Sequence, residues 1–232
     1  MDTATFFVAY SPSHPGWELG WDALVGIGTL ALAAVTFWAE RRRLRERHDE
    51  LVKKNIAAAN KAVFQLIRTH QTFADVQHQL VDPWRDDRGR HFMIRPLVAD
   101  LKPIAIDFDG LSFLFESADR NVMSELSAFE QEVAATIKII EERSVFHRTI
   151  IQPAVERFGG REVSGAEVEA AVGMMNVTIL KQSTDYMIEG IYNVVAGSRV
   201  CSEKLRNAVK RMYPKQAILF LKAPDETKLP KG

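Results

Sequence analysis

The chain has 232 residues, with 30 Lys and Arg against 30 Asp and Glu, and so no net charge while its histidines are neutral. That balance, with no basic stripe interleaved with aromatics, points away from nucleic acid as a partner. A single cysteine, Cys201, excludes an intramolecular disulfide and a multi-cysteine metal site.

Residues 1–40 hold four acids (Asp2, Glu18, Asp22 and Glu40) and no Lys or Arg, so every Lys and Arg lies beyond position 40. Residues 1–21 are expected to form a short extracytoplasmic tail. Its Phe6-Phe7-Val8-Ala9-Tyr10 run is too short to cross a bilayer, and the turn-rich Ser11-Pro12-Ser13-His14-Pro15-Gly16 comes next, so it is expected to rest at the outer lipid interface. From Ala23 to Ala39 no charge interrupts the chain; Trp21 precedes the run and Trp38 lies inside its far end. At ~1.5 Å per helical residue, this segment with its tryptophan flanks approaches the roughly 30 Å hydrocarbon core, which predicts a transmembrane helix over 22–39. Within it Gly26, Thr29, Ala33 and Thr36 recur at steps of three, four and three, placing small residues on one face where a second helix can approach closely.

Arg41, Arg42, Arg43, Arg45 and Arg47 come immediately after, in a basic juxtamembrane helix expected over 40–54. Basic residues beside a span are retained in the cytoplasm, so the amino terminus is expected outside and everything after Glu40 inside a bacterial inner membrane crossed once. The same collar is expected to attract anionic lipid headgroups by roughly 1 kcal/mol per cation close to the surface. A cleaved signal peptide is the competing reading of Ala31-Leu32-Ala33, but it lacks a basic n-region and the arginine run reads as a stop.

Residues 55–222 are expected to form one cytoplasmic helical domain, and 223–232 a loose charged tail. From Glu40 to Leu80 there is no Pro or Gly, and Val63, Ile67, His70, Phe73 and Leu80 recur mostly at helical spacing. The connection from Asp82 to Arg90, with Pro83 and Gly89 among dense charge, reads as solvated. A compact mixed segment extends from there to about Ser117. Leu126, Phe129, Val133, Ile137 and Ile140 seam a helix between about Asp119 and Gln152, which Pro153 is expected to kink or end. Ser164 and Glu167 fit a capping box opening a helix from Gly165 to about Met212. Val168, Met175, Ile179, Met187, Ile191, Val194, Leu205 and Met212 are expected on its buried face, with Gly190 and Gly197 weakening it locally. Gln216 to Leu221 reads as a short strand or a packed turn. The fold class is all-α: one N-terminal transmembrane helix, then a cytoplasmic bundle of long antiparallel helices.

Ile106-Asp107-Phe108-Asp109-Gly110-Leu111-Ser112-Phe113-Leu114-Phe115, Leu126-Ser127-Ala128-Phe129 and Ile140-Glu141-Glu142-Arg143-Ser144-Val145-Phe146-His147 look like a pattern in uncharacterised bacterial single-span membrane proteins with a helical cytoplasmic domain. That resemblance implies a layout and no activity. A second one is more chemical: Pro103 to Leu111, ending in Asp107-Phe108-Asp109-Gly110-Leu111, resembles the first motif of haloacid dehalogenase-like phosphatases. It implies Asp107 as the nucleophile on phosphorus, Asp109 as the group handling the leaving-group proton, and both as magnesium ligands. Leu111 stands where that motif has Thr, the residues beyond it read as long helices, and no alternating strand-helix series supplies a parallel sheet. The string is therefore read as a turn in which Asp109 or its neighbour caps a short helix beginning near Gly110.

His70 and His78 share a helix but lie about two turns apart, too far to hold one zinc, and His91 and His147 stand elsewhere in sequence. No metal or cofactor is expected. Placement and helix packing dominate, which favours a membrane-anchored interaction module, a scaffold or sensor-adaptor that holds a helical protein partner or its own copies. The alternatives are a membrane-perturbing stress or phage-defence effector and the Asp107/Asp109 magnesium-dependent enzyme.

Overall fold

The computed structural model describes residues 18–97, 101–116, 121–161 and 164–219, with side chains from residue 24; its regular structure among these is entirely helical. The expected extracytoplasmic tail as far as residue 17, and the end of the chain from residue 220, lie outside the described residues. The α-helices are α1 (Glu18–Val76), α2 (Arg90–Met93), α3 (Asn121–Phe146), α4 (Gln152–Glu156), α5 (Gly165–Val172) and α6 (Met174–Met212). The chain divides into two units, Met1–Val52 and Lys53–Gly232. The 59-residue α1 contributes residues to both.

Two of the long helices finish in the same way. A π-turn, Gln77–Val81, succeeds α1 and ends two residues before Pro83; another, His147–Ile151, succeeds α3 and ends two residues before Pro153. Proline has no amide hydrogen, and its ring crowds the carbonyl four residues back. Widening the turn ahead of it gives the freed carbonyls room to find other donors. Pro153 consequently does not end the helical path: it sits in the first turn of α4, which runs on to Glu156.

The predicted helix from Gly165 to Met212 is broken once. Gly173, at φ 91°, closes α5 and opens α6, a backbone conformation that only glycine adopts without strain. The break also shifts the helical register. Met175 and Ile179, expected inside, are 77% and 39% exposed, while Val172, Val177 and Leu180 take the buried positions. The capping box forms at the start of α5: Ser164 Oγ accepts from the Glu167 amide and the Glu167 carboxylate accepts from the Ser164 amide.

The second unit is built around the packing of α3 on α6. Lys204 pairs with Glu125, Gly197 faces Phe129, Gly190 faces Thr136, and Arg143 bonds Thr184. A Cβ at position 190 would stand 2.8 Å from Thr136 Oγ1, and one at 197 would stand 3.0 Å from a Phe129 ring carbon. These glycines, a weakness by propensity alone, are what lets α3 approach. Leu126, Phe129, Val133, Ile137 and Ile140 are all buried, as the seam predicts, and Val63, Leu66 and Phe73 of α1 complete the main core. A smaller core, separate from it, gathers Ile151, Ala154, Val168, Val172, Val177 and Leu180 where α4, α5 and the start of α6 meet.

Candidate functional site

In the first unit, the apolar part of α1 has no protein cover. Leu24, Val25, Ile27, Leu30, Leu32, Val35, Phe37 and Trp38 are each more than 60% exposed, although a soluble helix normally turns such residues inward. This stretch is long and apolar enough to cross a membrane. The Thr29 hydroxyl donates to the Val25 and Gly26 carbonyls, and that of Thr36 to the Leu32 and Ala33 carbonyls, so neither presents an unbonded hydrogen. Gly26 and Ala33 complete the small-residue face, and no protein atom approaches within 4 Å of where a Gly26 side chain would begin. Trp21 lies within α1. Arg41, Arg42, Arg43, Arg45 and Arg47 are all exposed; Arg42 pairs with Glu46 at 2.8 Å, and Trp38, Arg41, Arg42 and Arg45 border one recess of about 360 Å³.

In the second unit, the Asp-x-Asp-Gly string forms a tight turn. Asp107 Oδ1 accepts the Gly110 amide at 3.0 Å and Oδ2 accepts Lys61 Nζ at 3.4 Å. The Gly110 amide first, and then Lys61, hold this carboxyl below the usual carboxylate range. Asp107 thus closes a turn over residues 108–111 and caps no helix there; the short 3-10 helix expected near Gly110 begins at Ser112. Leu111, where the phosphatase motif has Thr, is fully buried in the main core. Among the described residues no strand leads into the turn; residues 101–106 run without regular structure, tied to α1 by Gln65 on the Ala105 carbonyl and to α3 by Glu130 on the Ile106 amide.

The histidines separate by environment. His70 is buried against α6, with Nδ1 3.2 Å from the Val195 carbonyl and 3.0 Å from Ser198 Oγ; burial is the main force lowering its pKa. His78 meets Asp82 at 2.8 Å on the exterior. Asp82 also accepts the Tyr192 hydroxyl at 2.5 Å, and Arg90 pairs with Asp185, so the expected solvated connection is pinned to α6 at both ends. Among the described residues no three His, Cys, Asp or Glu side chains converge as a metal site would require. Cys201 is buried, and burial, then Glu125, push its thiol up to about 11, leaving it protonated at neutral pH.

The most unusual group is Arg143, 1% exposed, with no carboxylate among its hydrogen-bond partners. Its Nε donates to Thr184 Oγ1 at 2.8 Å and its Nη2 to the carbonyls of His91 and Ile94 at 3.2 and 2.7 Å, while Nη1 has no partner. The two carbonyls are left over at the end of α2, so the guanidinium closes that short helix and fastens it to α3 and α6. Burial lowers the Arg143 pKa to about 10, which leaves it charged at neutral pH. His91 Nε2 and His147 Nδ1 are likewise buried without partners. Burial first holds both below the ordinary histidine range; Lys181 and then Arg143 add to the effect on His91, and Arg143 to that on His147, where a hydrogen bond with the Phe92 backbone opposes it.

His147 stands on the wall of a cavity of about 650 Å³ beside the smaller core, in the size range of small-molecule sites. The wider helical turn from His147 to Ile151 puts both of those residues on its lining. The sequence reading anticipates neither the cavity nor the buried guanidinium, although Arg143 continues the Leu126–Ile140 seam at a step of three, which marks a charge on a buried face. Phe92 and Met93 reach the cavity through a four-residue helix that no periodicity reveals.

Comparison with protein-family models, curated proteins and solved structures finds no match for the chain.

Proposed function

We propose that the protein is a single-span, inner-membrane-anchored interaction module of a bacterium, with its amino terminus outside and an antiparallel helical bundle in the cytoplasm. It acts there as a scaffold or sensor-adaptor, holding a helical protein partner or further copies of itself at the inner leaflet. The supporting observation is the stretch of α1 whose large apolar side chains are all exposed within the protein, succeeded in the same helix by five exposed arginines between residues 41 and 47. Water is a poor solvent for the first part and a good one for the second, and a bilayer boundary suits both. Anionic headgroups at the collar add to the anchoring.

The test combines topology with association. A fluorescent reporter fused to residue 232 is expected to glow in the cytoplasm, and alkaline phosphatase fused there to stay inactive. Purification in mild detergent is expected to bring down one stoichiometric protein, or a homo-oligomer. Full-length protein in the high-speed supernatant without detergent, or active alkaline phosphatase at the carboxyl terminus, would overturn the anchoring; a monomer without associates would overturn the module.

A further inference from the structure

The cavity at the smaller core lies outside everything the membrane reading uses, since all its lining residues come from the second unit. Phe92, Met93, Ile151, Val155, Phe158 and Val168 give it an apolar wall large enough for a short hydrocarbon or aromatic body. The charged groups on its border already have partners. Arg161 pairs with Glu167 at 3.0 Å and lies over the Phe158 ring. Asp87 and Glu156 bond only neutral donors, the Gly89 amide and Gln152 Nε2, but both are exposed at the rim, where water screens their charge. The charges that act on neighbouring His91 are also matched, Lys181 with Glu169 and Arg90 with Asp185.

Fully buried Arg143 has no carboxylate among its hydrogen-bond partners and lies one helical turn before His147; Arg143 Nη1 and His147 Nδ1 are buried without a partner, while the His147 ring also meets the Phe92 backbone. A buried positive charge without a counter-ion favours an anion close by, and an imidazole on the cavity wall offers the hydrogen bond. We propose that this cavity binds a small amphipathic carboxylate, with its hydrocarbon on the Phe92–Phe158 wall and its carboxylate at His147 in the field of Arg143.

The test uses the full chain in nanodiscs of zwitterionic phosphatidylcholine, with empty nanodiscs as the blank and three probes sharing one body: hexanoate, hexanol and hexylamine. Calorimetry is expected to show saturable one-to-one binding of hexanoate, at least tenfold weaker binding of hexanol, and none of hexylamine. Val155→Trp and Met93→Trp, at partly exposed positions on the lining, are expected to abolish hexanoate binding with the helical circular dichroism unchanged. His147→Gln is expected to weaken it at least fivefold. In histidine-resolved NMR, hexanoate is expected to raise the pH at which His147 titrates. No saturable binding of hexanoate, equal binding of the three probes, preference for the amine, or hexanoate binding untouched by both tryptophans would overturn the proposal. None of these outcomes bears on whether α1 crosses the membrane.

Discussion

At the scale of single residues, Arg143 does the work of several. It satisfies a hydroxyl on α6 and two carbonyls at the end of α2 from one planar group, a geometry the single ammonium of lysine does not reproduce. Arg143→Met is expected to cost about 2–4 kcal/mol, because buried acceptors lose their donor while the hydrocarbon volume is kept. Arg143→Lys is expected to recover little of that loss. Urea denaturation of the full chain in detergent reads both variants, and a change below about 1 kcal/mol for Arg143→Met would show that water replaces the guanidinium without penalty. The histidines make a second prediction. His70, His91 and His147 all have pKa values lowered in the folded state from the ordinary 6.5, chiefly by burial. Between that value and their lowered ones the unfolded chain binds more protons, so stability is whole above about 6.5 and is lost as pH falls below it. The thermal midpoint is expected to drop between pH 7 and pH 5, and His70→Asn combined with His147→Gln to flatten that drop; an unaltered slope would assign the acid sensitivity to other groups.

Among the helices, the tightest constraint is where α3 meets α6. Gly190→Ala improves helix propensity by about 1 kcal/mol, yet its methyl would press on the β-branched Thr136. The net effect is expected to be a destabilisation of about 1–2 kcal/mol. Thr136→Ala in the same chain is expected to return most of it, because the obstructing atoms are removed; failure of that rescue in thermal melts would place the strain elsewhere. The pair also shows what sequence alone conveys. The seam from Leu126 to Ile140 announces its helix because one face is buried along its whole length, and the Ser164–Glu167 box announces its own because the chemistry is local. Gly190 reads as a flaw because its reason is a side chain 54 positions earlier in the chain. Gly173 reads as harmless in the middle of a helical pattern, since nothing local distinguishes a glycine at positive φ from one in a helix, and the sequence reading misplaces Met175 and Ile179 with it. The candidate site divides in the same way. The arginine collar and the small-residue face repeat along one helix and are visible in the sequence, whereas the cavity assembles two or three residues each from α2, the turn after α3, α4 and α5 through contacts that no spacing encodes.

For the molecule as a whole, the proposed anchoring raises the question of whether the exposed face of α1 would meet lipid alone or another helix. Lipid tails match apolar side chains, so association between spans depends on close packing and not on escape from water. The hydroxyls of Thr29 and Thr36 are already bonded to their own helix, which leaves packing of small surfaces as the means of pairing along Gly26, Thr29, Ala33 and Thr36. A bulky β-branched residue in that row keeps the backbones apart, while one beside it leaves their approach unchanged. Ala33→Ile is therefore expected to reduce energy transfer between differently labelled full-length chains in a bilayer several-fold, and Leu32→Ile to leave it as it was. Equal losses from both would mean that general span shape governs association. No loss from either, with transfer still present, would place self-association in the second unit and leave α1 only its proposed role as an anchor.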